Sequence, residues 1–191
     1  MSLIGQTPSD RTRRAILCAP EFFRQGDPSP DVLLESRWGQ QVFTLELQDI
    51  ANGHGLGAAK PTSWRVLAGG ETGPAVAASV TQPRSGAAPK MTSLGRGAKV
   101  ERAFRAAQEI ERLPEVLERD YELSVLSIPG LLMEAFWLKP AEGGPELIVP
   151  FLTLSRHLES MRRYSAEEFF RIVQPLAKKR LEFDDTQQQG H

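Results

Sequence analysis

Residues 121–152 read YELSVLSIPGLLMEAFWLKPAEGGPELIVPFL and contain the clearest fold signal in this chain. Residues 121–125 alternate apolar and polar side chains, which is the period of a half-buried strand. Residues 131–138 are apolar on both faces except at Glu134, as expected for a central strand. The connections between the apolar runs are short, whereas parallel neighbours would need a crossover of about a dozen residues. The stretch therefore predicts a three-strand antiparallel meander.

Weaker strand signals lie upstream of this meander. Residues 42–48 alternate apolar and polar side chains and predict a first strand. Residues 63–67 and 75–81 are short runs of the same kind, and the glycines between them favour a hairpin. Together these runs predict a sheet of about five to six strands.

Two helices are predicted around the meander. Between residues 100 and 113 apolar side chains recur every three or four positions, which is typical of an amphipathic helix. Pro114 should stop or kink that helix. Ser165 and Glu168 have the spacing of a capping box, in which the serine accepts from the glutamate amide and the carboxylate reaches back to the serine amide. A last helix should begin there.

The element order predicts an α+β fold, with one antiparallel sheet and helices packed on one face. Residues 1–30 are expected to be a short helix or a partly disordered segment, and residues 31–183 a single domain. Residues 82–97 are rich in Pro, Gly and Ser, which predicts a mobile loop. Residues 184–191 are polar and expected to fray.

The predicted core joins the long helix to the sheet. Phe104 and Trp137 are expected to share one core, because the helix would lie across the strands. Glu134 is the ionisable residue inside the most apolar strand. Burial there would raise its pKa, whereas a place at an exposed edge would leave it solvated.

The composition excludes several classes of protein. The formal net charge of the 191-residue chain is -1, from 23 Lys plus Arg and 24 Asp plus Glu. That balance offers no general attraction for nucleic acid or for an acidic membrane. Cys18 is the single cysteine, and no apolar run resembles a signal peptide or a membrane span. We therefore expect a cytoplasmic protein with no membrane association.

Three motifs that could carry chemistry lack the context they need. The glycine-rich residues 53–57 are followed by a proline and a strand signal, whereas a phosphate-binding loop opens a helix. His54 and His157 have no metal-ligand spacing. Cys18 has the apolar neighbours of a buried, inert thiol. We therefore predict no catalytic residue, no metal site and no cofactor.

One basic cluster remains as a candidate site. Arg156, His157, Arg162 and Arg163 precede the Ser165 cap, where the free amides of a helix favour an anion. These four residues are predicted to bind a small anion or a partner carboxylate. The alternative is that they are solvated charges paired with nearby glutamates.

The absence of a catalytic constellation favours a non-catalytic protein-interaction or regulatory domain, with a protein partner or a second copy of the chain. The alternative is a small-molecule or anion-binding enzyme whose basic site lies at the start of the last helix. An enzyme predicts a deep pocket with convergent polar groups, whereas an interaction domain predicts an exposed apolar surface or sheet edge.

Overall fold

The structure, a computed structural model, describes residues 3–4, 6–69, 74–83 and 86–188, with the backbone alone for 184–188. These residues form nine strands, which are β1 (Leu3–Ile4), β2 (Trp38–Thr44), β3 (Lys60–Ala68), β4 (Val76–Thr81), β5 (Met91–Gly95), β6 (Tyr121–Ile128), β7 (Met133–Pro140), β8 (Leu147–Leu152) and β9 (Tyr164–Ser165). The α-helices of the same residues are α1 (Asp10–Leu17), α2 (Pro30–Glu35), α3 (Leu47–Ala51), α4 (Ala98–Ile110), α5 (Pro114–Glu118) and α6 (Ala166–Gln188). Short 3-10 turns lie at Pro20–Phe22, Gly55–Ala58 and Pro129–Leu131.

The strands form one sheet in the order β5-β4-β3-β2-β6-β7-β8-β9. The central pair, β2 and β6, is parallel, with Val42 opposite Val125, and every other neighbouring pair in this order is antiparallel. The two-residue β1 also pairs with β6 in parallel. Two meanders, β2–β5 and β6–β9, therefore run outward from a parallel centre. The parallel pairing is possible because the long connection from β2 to β6 supplies a crossover.

The predicted α+β class is confirmed. The sheet is mainly antiparallel, as predicted, but it contains the parallel pairs β2–β6 and β1–β6, and its described residues form nine strands rather than about five to six. The meander predicted for residues 121–152 is observed as β6, β7 and β8. The predicted hairpin is observed as β3 and β4, and residues 70–73 between them lie outside the described residues. The undercount has a local cause, because β1 and β9 contain two residues each and β5 lies in a segment of loop-like composition.

Helices cover both faces of the sheet, so the predicted packing on one face is wrong. On β7, Phe136 and Leu138 belong to a core with α4, whereas Ala135 and Trp137 belong to a core with α3 and α6. A third core joins α1 and α2 to β3, β4 and β5, on the same face as α6. We call the two sides of the sheet the α4 face and the α6 face.

The two faces separate the aromatic residues that the sequence assigned to one core. Phe104 lies on the α4 face and packs edge-on against Trp38, with 6.4 Å between ring centroids. Trp137 lies on the α6 face and packs against Phe43 at 5.0 Å. The predicted common core of Phe104 and Trp137 is therefore wrong, although both side chains are buried.

Residues 82–97, predicted as a mobile loop, contain the edge strand β5. Met91 and Leu94 are buried there, and Leu94 lies opposite Ala78 of β4. The strand escapes sequence detection because it buries only these two large side chains among Gly, Ser and Thr. Residues 84 and 85 lie outside the described residues. The mobility of the segment stays a prediction.

The ends of the chain hold more regular structure than their composition indicates. Residues 1–30 contain β1, α1 and a 3-10 turn, and residues 1, 2 and 5 lie outside the described residues. Helix α6 continues to Gln188, through part of the segment predicted to fray, and residues 189–191 lie outside the described residues. In the described part of the chain, no helix has both the length and the apolarity needed to cross a bilayer.

Candidate functional site

A groove of about 620 Å³ opens on the α6 side of the molecule. It lies between the turn that joins β6 to β7, the loop after β8 and the C-terminal part of α6. We call it the basic-rimmed groove, and the residues that line it are Pro129, Gly130, Leu131, Leu132, Met133, Thr153, Leu154, Ser155, Arg156, His157, Leu158, Leu176, Lys179, Arg180 and Phe183. Its volume lies within the range of about 300–1,000 Å³ that is typical of ligand pockets.

Three exposed apolar side chains line this groove. Leu132, Leu154 and Phe183 are 63%, 72% and 56% exposed, although apolar groups of this size gain free energy on burial. Leu132 adopts a left-handed conformation with φ 51° at the end of the Pro129–Leu131 turn, and this conformation is uncommon for a side chain other than glycine. Since each of the three comes from a different segment, their convergence arises from the tertiary fold.

The rim of the groove is positively charged. Arg156, Lys179 and Arg180 contribute three cations, and His157 lies beside them. Among the described residues that line the groove, none is acidic. The loop that carries Arg156 and His157 is shaped by short-range bonds, because the His157 amide donates to Ser155 Oγ at 3.2 Å. The groove therefore combines an apolar floor with a cationic edge.

The structure divides the predicted four-residue basic cluster. Arg156 and His157 line the groove next to the C-terminal part of α6 rather than the start of that helix. Arg162 donates to Glu168 at 2.8 Å and stacks over Tyr164, and Arg163 forms an ion pair with Glu115. The alternative in which the arginines pair with nearby glutamates therefore describes Arg162, whereas the partner of Arg163 lies 48 residues away on α5.

The N-terminus of α6 is capped within the chain. Ser165 Oγ accepts from the Glu168 amide at 3.1 Å, as the sequence predicts. The Glu168 carboxylate pairs with Arg162 instead of reaching back to the Ser165 amide. One helix amide that was expected to attract an anion is thus already bonded to a side chain.

A second constellation lies on the α4 face, around Glu134 of β7. Arg65 of β3 donates to both oxygens of the Glu134 carboxylate, at 2.8 and 3.3 Å, and Lys99 of α4 donates at 2.7 Å. Burial raises the pKa of Glu134, but the hydrogen bonds and charges of Arg65 and then Lys99 hold that pKa below its ordinary value. The expectation of a raised pKa is therefore wrong, because burial brought two cations with it.

Glu134 lies in a small pocket that we call the charged pocket. The pocket has a volume of about 200 Å³ and is lined by Arg65, Leu67, Ala77, Ser79, Ser93, Gly95, Lys99, Val100, Ala103 and Glu134. Arg65 and Glu134 are largely buried, with side-chain exposures of 17% and 10%, whereas Lys99 is 55% exposed at the mouth. The sequence singled out Glu134 but offered no signal for its partners, which lie 69 and 35 residues away.

The remaining candidates from the sequence lie apart from both sites. His54 contacts Asp49 at 3.2 Å, and no group of three or more potential metal ligands occurs in the described part of the chain. Cys18 is exposed, which corrects the expectation of a buried thiol. The buried stripe of α1 is formed by Thr12 and Ile16, so Cys18 falls at the C-cap, outside that stripe.

Comparisons of the chain with protein-family models, with curated proteins and with solved structures found no match.

Proposed function

We propose that this chain is a non-catalytic interaction domain that binds an acidic amphipathic helix of a protein partner in the basic-rimmed groove. The observation that carries the proposal is the convergence of Leu132, Leu154 and Phe183 with a cationic rim in one groove. Exposed apolar surface rimmed by polar groups is typical of protein-binding sites. Amphipathic helices commonly bind by laying their apolar face in such a groove.

The charge of the rim supports an acidic partner. Arg156 and Lys179 would face the polar side of a bound helix, where glutamates or aspartates complement them. The net charge of the whole chain is only -1, so the chain as a whole attracts an acidic partner little. The cations at the rim of the groove would therefore determine which partner binds. Binding should weaken with salt, because exposed charges are screened over about 8 Å at physiological ionic strength.

A synthetic amphipathic helix of about 18 residues, with leucines on one face and glutamates on the other, tests the proposal. We expect the labelled peptide to bind the full chain in a fluorescence anisotropy titration. The Leu154→Glu variant should weaken that binding by about tenfold or more, because it places a carboxylate among apolar contacts. A peptide with lysine in place of every glutamate should bind poorly.

Leu117→Glu is the matched control, since Leu117 is 59% exposed on α5 and does not line the groove. Equal loss of binding in the Leu117 and Leu154 variants would contradict the proposal. Equal binding of the acidic and basic peptides would contradict it too. A dimer in sedimentation experiments that Leu154→Glu abolishes would identify a second copy of the chain as the occupant and overturn the acidic-helix proposal.

A further inference from the structure

The charged pocket carries more positive than negative charge. Its lining includes the cations Arg65 and Lys99 and the single carboxylate of Glu134, so one positive charge remains uncompensated among the described residues that line it. Glu134 stays ionised near neutral pH because both cations donate to it.

Two hydroxyl groups in the same pocket have no hydrogen-bond partner among the described residues. Ser79 of β4 and Ser93 of β5 lie directly opposite each other and both line the pocket. Within the described part of the chain, neither hydroxyl makes a hydrogen bond to another residue. Each hydroxyl could donate to an oxygen atom of a bound molecule.

A buried amide on the same face of the sheet, outside the residues that line the pocket, has no partner in the described part of the chain. Gln40 is 0% exposed, and in the described residues neither atom of its side-chain amide has a hydrogen-bond partner. Gln40 lies opposite Arg65 in the β2–β3 register, so the two side chains share the α4 face. Leaving a buried polar group unpaired is costly, and such a group in a native fold calls for an explanation.

The backbone at the mouth of the pocket adds donors. Helix α4 begins after Gly97, which provides no side-chain cap. In the first turn of α4, the amides of Val100 and Glu101 both donate to the Gly97 carbonyl. The amides of Ala98 and Lys99 precede them, at the end of the helix where partial positive charge accumulates.

We propose that the charged pocket is a binding site for a phosphate-sized oxyanion, held by Lys99 and by the hydroxyls of Ser79 and Ser93. Arg65 remains on Glu134 in the bound state and keeps that carboxylate neutralised, while the exposed Lys99 side chain turns toward the ligand. The pocket volume of about 200 Å³ suits a small ion or a short phosphate monoester. This site is separate from the basic-rimmed groove and does not depend on the groove's function.

Titration of the full chain with inorganic phosphate, followed by amide NMR shifts, tests the proposal. The amides of residues 93–100 should shift in a saturable way at or below about 10 mM phosphate. Lys99→Gln should weaken the binding by about tenfold, because it removes a charge-assisted hydrogen bond. The Ser79→Ala, Ser93→Ala double variant should weaken it about threefold while leaving the fold intact, since neither hydroxyl has an internal partner.

Lys90→Gln is the matched control, because Lys90 carries the same charge just before β5 but does not line the pocket. Its phosphate affinity should stay within about twofold of the wild type, since exposed charges at a distance are screened. Glycerol phosphate binding more tightly than phosphate would support a monoester as the ligand, and the reverse order would support the free ion. Absence of saturable shifts, or equal loss in the Lys90 and Lys99 variants, would overturn the site.

Discussion

The charged groups on the two faces of the sheet have different surroundings. The α4 face contains a buried ionic cluster, in which Glu134 is held by Arg65 and Lys99 beneath one long helix. The α6 face is covered by α1, α2, α3 and α6, and cations line the rim of its open groove. The cations at the groove rim are thus open to solvent, whereas Arg65 and Glu134 of the cluster on the α4 face are largely buried and joined across the sheet.

The ionic cluster on the α4 face should matter most for stability. Glu134→Ala leaves Arg65 buried without its partner, and removing one member of a buried pair typically costs about 3–5 kcal/mol. We expect a fall of about this size in the free energy of unfolding, measured by urea denaturation. Glu167→Ala is the control, because the Glu167–Arg171 pair is exposed and should contribute at most about 1 kcal/mol. A similar fall in the free energy of unfolding in both variants would contradict the expectation that the buried pair stabilises the fold more than the exposed pair.

The same cluster should make the free energy of unfolding depend on pH. Since the pKa of Glu134 is lowered on folding, its ionised form stabilises the fold above the unfolded-state pKa. That contribution should be lost as the pH falls from about 4.5, the ordinary value, through the folded-state pKa. The stability advantage of the wild type over Glu134→Gln should therefore shrink in urea denaturation below that pH. An advantage that is constant or grows in acid would show that the carboxylate is not stabilised by its cations.

Because the two faces are separate, the stability effects of one substitution on each face should be additive. Phe104 and Trp137 have different aromatic partners in different cores. We expect Phe104→Leu and Trp137→Phe to lower the free energy of unfolding independently, with a coupling energy below about 0.5 kcal/mol in a double-mutant cycle. A coupling of about 1 kcal/mol or more would indicate that the two side chains share one core after all.

Local patterns in the sequence predicted most of the regular elements. The alternation in residues 121–152 identified three strands, the spacing in α4 identified its buried stripe, and Ser165 marked the start of α6. These signals depend on neighbours within a few positions along the chain. The edge strand β5 escaped because two buried residues in five do not establish a period.

Less of the candidate sites could be predicted. Arg156 and His157 were identified by their basic neighbours, but the apolar residues that complete the groove come from segments at Leu132 and Phe183. Of the charged pocket, the sequence singled out Glu134 alone, since no sequence pattern links Glu134 to Arg65. Contacts between such distant residues depend on strand order, which short-range periodicity does not specify.

Hydrophobic periodicity acts within each segment, so the α+β class, the β6–β8 meander and the amphipathic face of α4 could be predicted from the residues alone. The tertiary structure was needed to establish that β2 and β6 pair in parallel and that helices cover both faces. It also decided that the pKa of Glu134 is lowered, because the effect of burial on a carboxylate depends on which cations are buried with it. Arg65 and Lys99 reach that carboxylate only once the four strands β3, β2, β6 and β7 and helix α4 have packed together, which is a property of the whole fold.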